Sequence, residues 1–434
     1  MEAVKGLCWK LAERFGVQAV QLAFQILLAR LLEPAQFGAL AIWAAFAAIA
    51  HIWVQGGLHT ALVQKEKADS KDFSAAFWSV LAAAGAVYLV LFCAAPWLAS
   101  FCGISNGTAP FRVYMLMVFP GAVQSVLLAI TGRRLRFRPV FFSGISAVVV
   151  SGAVGLWLAV RGLGLWALVA QSLVFAALSC GLLWLFLRWK PLLSCEMQRV
   201  RTMFSFGWKL QISGLLDTAY QALYSFVIGQ KYSAAELGFY SRGRQLPQLL
   251  AVGAGDGLRS ILLPVLSAKQ RDGGALKRAV RRAVRLSAWA AFLLMAALAG
   301  AAEPLVRLLL TDKWLPCVPF LRIFCFSFAL YPVCVCHLQA INALGRSDVF
   351  LKLELIKKAV GTAVLLAAAV WLRSAVSLAL TGAAVSLFGC AVNGLASRKL
   401  FGYTCKEQLC DLLPAVCAAL LLCGAVVVVC KIGG

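Results

Sequence analysis

The chain has 434 residues, of which 62% are hydrophobic and only 13% are charged. Soluble domains carry about 25% charged residues, so this composition excludes an ordinary soluble protein. Apolar runs of about 20 residues recur along the chain and predict many membrane helices, whereas the alternation typical of a membrane β-barrel is absent. The net charge of +24 would indicate nucleic acid binding in a soluble protein. Here the basic residues cluster in alternate loops, a pattern typical of membrane topology, so we expect no nucleic acid partner.

Residues 1–16, the cysteines and the histidines do not indicate a particular function. Residues 1–16 mix charged and apolar side chains without a cleavage site, which predicts an uncleaved first helix. The fifteen cysteines are scattered through apolar runs and are expected to act as small apolar fillers. The three histidines lack the spacing of a metal site, so we expect no metal.

Hydropathy predicts thirteen membrane spans with a cytoplasmic N-terminus. The first six cover about 15–32, 38–63, 73–98, 111–131, 140–160 and 165–187. A polar segment at 188–205 follows, and then two spans within 206–266, joined by the turn 231–238. The last five cover about 286–310, 320–344, a span ending near 372, 375–396 and 412–430. The inner loop 269–285 is the most basic and predicts an amphipathic helix lying on the anionic inner leaflet.

Polar side chains recur at helical spacing inside three of these predicted spans. The three stripes are Arg14, Gln18, Gln21 and Gln25 on span one; Ser213, Asp217, Gln221 and Tyr224 on span seven; and Ser241, Gln245, Gln248, Asp256 and Arg259 on span eight. Residues three and four apart share one helical face. A charge in mid-bilayer costs about 2.5–3.5 kcal/mol, so such faces are expected to meet a partner helix or line a translocation path.

The two halves of the chain resemble each other at an offset of 200 residues. Gln21 corresponds to Gln221, Gly38 to Gly238, and the dipeptide at 57–58 to that at 257–258. The later dipeptide 119–120 is echoed by 331–332. Six spans separate the copies, so both begin on the cytoplasmic side and the repeat is parallel.

The predicted fold is therefore an all-α polytopic membrane protein with two parallel six-helix bundles around a central cavity, plus one or two extra C-terminal helices. We divide the chain into an N-terminal bundle at 1–187, a cytoplasmic linker at 188–205, a C-terminal bundle at 206–400 and an additional membrane helix at 401–434.

Three segments resemble the polysaccharide transporter family, which includes the Wzx-type flippases of O-antigen and capsule synthesis. The segments are Leu31-Leu32-Glu33-Pro34-Ala35-Gln36-Phe37-Gly38, Gly57-Leu58-His59-Thr60-Ala61-Leu62-Val63-Gln64 and Glu236-Leu237-Gly238-Phe239-Tyr240-Ser241-Arg242. The superfamily also holds lipid II flippases and multidrug extruders. The resemblance implies, in the bacterial inner membrane, a flippase for an undecaprenyl-diphosphate-linked oligosaccharide. It also implies membrane lipids, a polysaccharide polymerase and glycosyltransferases as partners.

Candidate site residues rest on their positions in this sequence. The substrate-binding candidates are Arg30, Arg242, Arg244, Arg259, Gln21, Gln221 and His59, and the ion-coupling candidates are Asp217 and Asp256. Arginine suits a diphosphate because it pairs with phosphate bidentately. Each candidate keeps a structural alternative: snorkelling for the outer arginines, a locking ion pair for Asp256 and Arg259, and hydrogen bonding between helices for the others. We expect no cofactor, with coupling to a proton or sodium gradient.

Two other functions remain open at this point. A drug or small-cation extruder predicts an acidic cavity, whereas the intramembrane cations here outnumber the acids. A membrane glycosyltransferase or polymerase usually needs a sizeable extramembrane loop, and the longest predicted outer loop, 99–110, has only about a dozen residues. No phosphate-binding GxxxxGK[ST] loop occurs, so we expect neither ATP-driven transport nor an enzyme.

Overall fold

The computed structural model of the protein describes residues 2–65, 68–104, 107–134, 136–192, 196–270 and 272–432. Inside the helices, the side chains of residues 2–15, 206, 207, 209, 210, 213, 431 and 432 are not described. Two members of the predicted polar stripes, Arg14 and Ser213, therefore lie outside the described side chains. The residues that the model describes form helices and connections without a β-strand, which confirms the predicted all-α fold.

Seventeen α-helices and one 3-10 helix follow one another in the described residues. The first eight are α1 (Glu2–Leu31), α2 (Pro34–Gln55), α3 (Leu58–Gln64), α4 (Ser70–Phe101), α5 (Thr108–Met115), α6 (Val118–Arg133), α7 (Arg138–Val160) and α8 (Leu165–Leu187). The remainder are α9 (Met197–Lys231), α10 (Ala234–Ser267), α11 (Gly273–Gly300), α12 (Ala302–Leu310), the 3-10 helix Asp312–Cys317, α13 (Val318–Ala329), α14 (Tyr331–Ala343), α15 (Ser347–Trp371), α16 (Ala375–Phe401) and α17 (Cys405–Ile432).

Each of the thirteen predicted spans falls on helix. Ten helical segments among the described residues are long and apolar enough to cross a membrane. The other three predicted spans lie in α1, α9 and α15, whose polar side chains lower their hydropathy. A multi-pass membrane protein is therefore confirmed, while the number of crossings stays a prediction.

Four spans that the hydropathy predicts as continuous are broken. Span two divides between α2 and α3 at Gly56 and Gly57, whose φ angles of 57° and 69° lie in the left-handed region that glycine tolerates. Spans four and ten divide just before Pro120 and Pro332, because proline cannot donate the backbone hydrogen bond that would continue the preceding helix. Span nine divides between α11 and α12 at Ala301. Hydropathy misses such breaks because they leave the apolar run intact.

The polar segment predicted at 188–205 is not a free linker. Its second part is the start of α9, which runs on as a single helix of 35 residues. Its first part is held against α4, because the Trp78 indole donates to the carbonyl of Leu192 at 2.8 Å and the Leu192 amide donates to the Ser74 hydroxyl at 2.9 Å. Apolar α4 thus anchors the polar connection.

The predicted amphipathic helix at 269–285 is also wrong as a surface helix. It is the first half of α11, which begins at Gly273 behind an N-cap formed by Asp272. Hydrogen bonds from the Ala275 and Gly274 amides lower the pKa of the Asp272 carboxyl. The apolar face of Leu276, Val280 and Val284 is completely buried in the protein, where α11 packs on α17, instead of facing lipid.

Helix boundaries repeat at the same offset of 200 residues. The first helix of each copy ends at Leu31 and Lys231, and the second begins at Pro34 and Ala234. The chain forms two compact units, Met1–Gly238 and Phe239–Gly434, which are called unit 1 and unit 2 below. Unit 1 therefore includes α9, and the division of the chain at 188–205 stays a prediction about the duplicated sequence.

Two repeat-related helix starts pack against each other within unit 1. A methyl group on Gly38 would lie 1.6 Å from the carbonyl oxygen of Ala234, and one on Gly238 would lie 2.1 Å from the carbonyl oxygen of Pro34. The contact is reciprocal, because each partner maps onto the other at the offset of 200. Small residues four positions apart allow such close approach of membrane helices. Only glycine fits at both positions.

A buried acid joins the first turns of α4 and α9. The side chain of Asp72 is 1% exposed and lies 2.7 Å from Lys65 Nζ and 3.0 Å from Arg199 Nη1. Arg199 also contacts Asp69 and Glu196, at 3.0 and 2.6 Å. The hydrogen bond from Arg199 lowers the pKa of the exposed Glu196 carboxyl. This cluster fixes the position where the second copy starts.

Unit 2 contains a comparable cluster around a second buried acid. Asp411 of α17 has no exposed side-chain surface and accepts hydrogen bonds from Arg281 at 2.8 Å, from Arg285 Nε at 2.7 Å and from the Tyr403 hydroxyl at 2.9 Å. Neighbouring Glu407 binds Lys277 at 2.9 Å. Three of the five cations in this part of α11, Lys277, Arg281 and Arg285, are thus paired with acids of α17.

We expect Gly38→Ala and Gly238→Ala to destabilise the protein. Overpacking against a backbone carbonyl costs about 1–3 kcal/mol, whereas alanine in an open helical position is favoured by up to about 1 kcal/mol. Gly85→Ala in α4 is the matched control, since a methyl group there meets nothing within 4 Å. Thermal unfolding of the detergent-purified protein measures the difference. Equal melting temperatures for the three variants would contradict the close approach.

Asp411→Asn is expected to lower stability strongly. The substitution removes the acid that pairs with Arg285 and one of the two acids that pair with Arg281, whose other partner is Glu407 at 3.2 Å. Both arginines are partly exposed, so we expect the loss of these charge-assisted hydrogen bonds to cost about 1.5–3 kcal/mol. Asp348→Asn is the control, because Asp348 is exposed and bonds to the exposed Arg346 at 2.9 Å, a pair of about 1 kcal/mol or less. The same thermal assay compares them, and a loss no larger than that of Asp348→Asn argues against the cluster.

Candidate functional site

Three of the four stripe residues on α9 have described side chains. The Gln221 amide donates to the Asp217 carboxylate at 3.1 Å, one helical turn apart, and both side chains are exposed. Tyr220 and Tyr224 pack edge to face one turn along, with ring centroids 5.9 Å apart. An exposed carboxylate in a membrane-length apolar helix is stable where water, a cation or a polar ligand reaches it. The sequence placed Asp217 and Gln221 on one face, and the structure joins them directly.

Gln25 of the α1 stripe has a long-range contact. Gln25 donates to Gln171 of α8 at 3.4 Å, and Gln171 is buried, so this glutamine serves helix packing. Gln21 and Arg30 are exposed. The substrate roles predicted for Gln21 and Arg30 therefore stay compatible with their positions, whereas Gln25 fits its structural alternative.

His59 lies in the short helix α3. Its Nδ1 atom is 2.9 Å from the carbonyl oxygen of Ser125 on α6, and the side chain is half-buried. This contact gives the half-buried imidazole the hydrogen-bond partner that a buried polar group needs. The structure thus gives His59 a structural partner, and a substrate role stays a prediction.

Two candidate arginines lie near the start of α10. Arg242 donates to Gln245 at 2.5 Å, and both Arg242 and Arg244 are half-buried. Gly243 between them is packed tightly on α13, because a methyl group there would lie 2.7 Å from Phe320 Cβ. This packing holds the backbone of α10 firmly, so the two guanidinium groups extend from a rigid position.

Further along α10, Asp256 and Arg259 form the ion pair that their spacing predicts. Arg259 Nη1 lies 3.5 Å from the Asp256 carboxylate, and Arg259 Nη2 donates to the Tyr331 hydroxyl at 3.0 Å. The Arg259 side chain is 47% exposed and that of Asp256 is 31% exposed. The guanidinium is held on two sides by protein groups and still presents surface. Such a group can exchange a protein partner for an anionic ligand.

Close helix packing builds this arrangement. A methyl group on Gly255 would lie 2.5 Å from the Tyr331 ring, so glycine at this position lets α14 bring the phenol against α10. Tyr331 and Gln171 are site-related residues that the reasoning on polar stripes missed. Tyr331 had one signal in the sequence, since the dipeptide 331–332 marks the repeat. Its role in holding Arg259 depends on packing between helices.

The two copies of the repeat carry different side chains at the position shared by His59 and Arg259. His59 and Arg259 share one repeat position, yet the first is bonded to a carbonyl and the second is charged and half-exposed. In the part of the chain that the structure describes, no three His, Cys, Asp or Glu side chains gather as they would for a metal ion.

The fold is that of a polytopic membrane protein with polar groups embedded in its helices. A family model described as "Polysaccharide biosynthesis protein" matches residues 27–319, and the chain belongs to that family. The matched range includes all three segments that carry the resemblance in the sequence, and this family assignment is confirmed.

Two proteins and one structure illustrate the relationship. The chain is 23% identical over 352 residues to the succinoglycan biosynthesis transport protein ExoT of Rhizobium meliloti, covering 80% of this chain and 71% of that protein. It is 20% identical over 304 residues to the teichuronic acid biosynthesis protein TuaB of Bacillus subtilis, covering 69% of this chain and 62% of that protein. The lipid II flippase MurJ, in an inward closed conformation, matches with a TM-score of 0.72 at 12% identity, covering 98% of this chain and 97% of that one. That likeness shows the fold.

Gly255→Ala is expected to disturb the Arg259 site, whereas Gly257→Ala is not. The new methyl group of Gly255→Ala must displace Tyr331, while that of Gly257→Ala meets nothing within 4 Å. We expect a loss of about 1–3 kcal/mol for the first substitution only. Thermal unfolding of the two purified variants, two residues apart in one helix, checks this. If Gly257→Ala is as unstable as Gly255→Ala, the cause is the helix itself and the contact with Tyr331 is excluded.

Proposed function

We propose that this protein is a flippase in the bacterial cytoplasmic membrane. It moves a polyprenyl-diphosphate-linked oligosaccharide from the inner to the outer leaflet by alternating access, for the synthesis of a surface polysaccharide such as O-antigen, capsule or exopolysaccharide. Membership of a polysaccharide biosynthesis family carries this proposal, together with a chain built almost wholly of membrane helices. Such a chain can carry a lipid-linked sugar across a bilayer, and it offers little extramembrane surface for sugar transfer.

Arginines suit the head of this substrate. A diphosphate presents several anionic oxygens, and a guanidinium binds them bidentately through its fixed fork of donors. Arg259 is the strongest candidate, because its partners Asp256 and Tyr331 position it while leaving nearly half of its side chain exposed. Arg30, Arg242 and Arg244 are further candidates, and Gln21, Gln221 and His59 would hydrogen-bond the sugar.

An exchange of partners links substrate and ion. When the diphosphate takes Arg259, Asp256 loses its countercharge, and the carboxylate then favours a proton or a sodium ion. Release of the diphosphate returns Arg259 to Asp256 and expels that cation on the same side of the membrane. This exchange alone carries the cation outward with the diphosphate, so an inward gradient must act through a cation bound on the return step. Asp217, exposed on α9, is a second carboxylate able to take a cation in the same way. Transport would thus be coupled to an ion gradient without a bound cofactor.

The charge of the embedded groups favours this substrate over the alternative, a drug extruder of the same superfamily. Extruders of cationic compounds need an excess of acids, whereas helix α10 holds three arginines, Arg242, Arg244 and Arg259, against the two acids Glu236 and Asp256. We propose polysaccharide polymerases and glycosyltransferases as functional partners, since they would consume and supply the lipid-linked unit. A glycosyltransferase activity of this chain is the least favoured alternative.

We expect Arg259→Ala and Asp217→Asn to impair export while the protein stays in the membrane. For Arg259→Ala, loss of one charge-assisted hydrogen bond to the substrate costs about 1.5–3 kcal/mol, which corresponds to a rate roughly 10- to 100-fold lower. Asp217→Asn removes the negative charge that would hold the coupling cation. The measurement is surface polysaccharide in a deletion strain that carries each variant, normalised to membrane protein level.

Arg307→Ala is the matched control for Arg259→Ala. Arg307 is also a half-exposed arginine in an acidic pair, 3.1 Å from Glu303, and it lies outside the polar stripes. Full complementation by both Arg259→Ala and Asp217→Asn would show that the site assignment is wrong. In the empty deletion strain, an undecaprenyl-linked repeat unit already present on the outer leaflet would argue against a flippase.

A further inference from the structure

A cavity opens at the cytoplasmic end of unit 1, away from the polar stripes. Its volume is 260 Å³, and its lining includes Ala68, Phe73, Ile130, Arg133, Arg134 and Trp189. Clefts for whole drug-sized ligands span about 300–1,000 Å³, so this cavity suits a headgroup or another small polar group. The cavity lies beside the loop that precedes α4 and the loop that follows α6, and both loops are rich in basic residues.

The charge of the lining is positive. Two arginines, Arg133 and Arg134, face one carboxylate, that of Asp69, and Arg199 binds this carboxylate through two contacts of 3.0 Å. The nearby buried acid Asp72 is neutralised by Lys65 and Arg199. Among the described residues, the acids of this region are thus already paired with other cations, so the cavity attracts an anion.

The protein fixes one of the two arginines in place. Arg133 Nη1 donates to the carbonyl oxygens of Leu62 and Val63 at 2.9 and 3.1 Å, and also to that of Lys65. These bonds satisfy the C-terminal end of α3 and hold the guanidinium at the cavity wall. Arg134, next in the chain, is exposed and extends from the end of α6. A fixed cation beside an exposed one is an arrangement that suits phosphate.

Apart from Ser70, the other lining side chains are apolar or aromatic. Phe73, Ile130 and Trp189 form this part, and the Trp184 indole donates to the carbonyl of Trp189 at 2.8 Å. Tryptophans are enriched where membrane meets water. Just above, Leu185 and Phe186 at the end of α8 are 70% and 51% exposed, as lipid-facing side chains are. A ligand with an anionic head and an apolar chain matches both parts of this surface.

We propose that this cavity binds the phosphate headgroup of an inner-leaflet lipid, with Arg134 and Arg133 on the phosphate and Trp189 beside the chain. Two sources share this chemistry, an anionic phosphoglyceride and a polyprenyl diphosphate. The site is separate from the groups proposed for transport, so it stands even if Arg259 and Asp217 have no role in flipping.

Native mass spectrometry of the full-length detergent-purified protein tests the site. The probes are dioleoyl phosphatidylglycerol, dioleoyl phosphatidylethanolamine with the same chains, undecaprenyl diphosphate and sodium phosphate. We expect binding of one or both of the phosphatidylglycerol and undecaprenyl diphosphate probes, with phosphatidylethanolamine weaker. Arg134→Gln should weaken that binding roughly five-fold, the factor expected for one basic residue at an anionic lipid surface.

Two further variants separate a built site from general attraction. Arg136→Gln makes the same charge change two residues away, at an exposed arginine outside the lining, and should leave binding unchanged. Ala68→Trp keeps every charge while filling the cavity, and should reduce binding as Arg134→Gln does. Thermal unfolding without lipid confirms that each variant is folded.

Each outcome either identifies the source of the bound lipid or overturns the proposal. Arg134-dependent binding of phosphatidylglycerol alone identifies a phosphoglyceride site, and Arg134-dependent binding of undecaprenyl diphosphate alone identifies a docking site for the transported lipid. Equal losses for Arg134→Gln and Arg136→Gln would overturn the proposal, as would equal binding of phosphatidylethanolamine. Binding of sodium phosphate as strong as that of the lipids would exclude a role for the chain.

Discussion

The close approach of the helix starts at Pro34 and Ala234 is the constraint on which unit 1 depends. The carbonyl of Ala234 occupies the place of a Cβ atom on Gly38, and the carbonyl of Pro34 occupies that of a Cβ atom on Gly238. Both positions therefore require glycine. Each copy of the duplicated turn supplies a glycine and also the carbonyl that packs on the glycine of the other copy. The two copies of the turn therefore contact each other in one interface. It draws α9 into unit 1, where α9 packs on α2, α3 and α4. The ion cluster of Arg199 and Asp72 fixes the other end of the same helix.

The two copies of the repeat share their helix boundaries but differ in side chains at equivalent positions. Helix boundaries agree at the offset of 200, and the proline breaks recur before Pro120 and Pro332. The first copy is interrupted at Gly56 and Gly57, whereas α10 continues through the equivalent Gly257. His59 bonds to a neighbouring carbonyl, while Arg259 pairs with Asp256 and Tyr331. A flippase for an asymmetric amphiphile has a use for such a difference, since charge is needed where the diphosphate binds.

Cations serve three separate purposes in this protein. Arg281 and Arg285 neutralise buried Asp411 and stabilise unit 2. Arg133 holds the end of a broken helix while lining a cavity. Arg259 is positioned and still exposed, as a ligand-binding group must be. The sequence shows all of them as one basic excess, and only their partners distinguish them.

Hydropathy and helical spacing determined the membrane class, the positions of the helices, the repeat and the shared face of Asp217 and Gln221. These properties are local or periodic, so a linear pattern records them. The breaks inside spans two, four, nine and ten, the burial of the basic helix against α17, and the contact of Arg259 with Tyr331 were decided by tertiary structure. Each depends on backbone geometry or on residues distant in the chain, such as Asp411 and Arg281, 130 positions apart. Side-chain type alone does not tell which carboxylate a given arginine will meet.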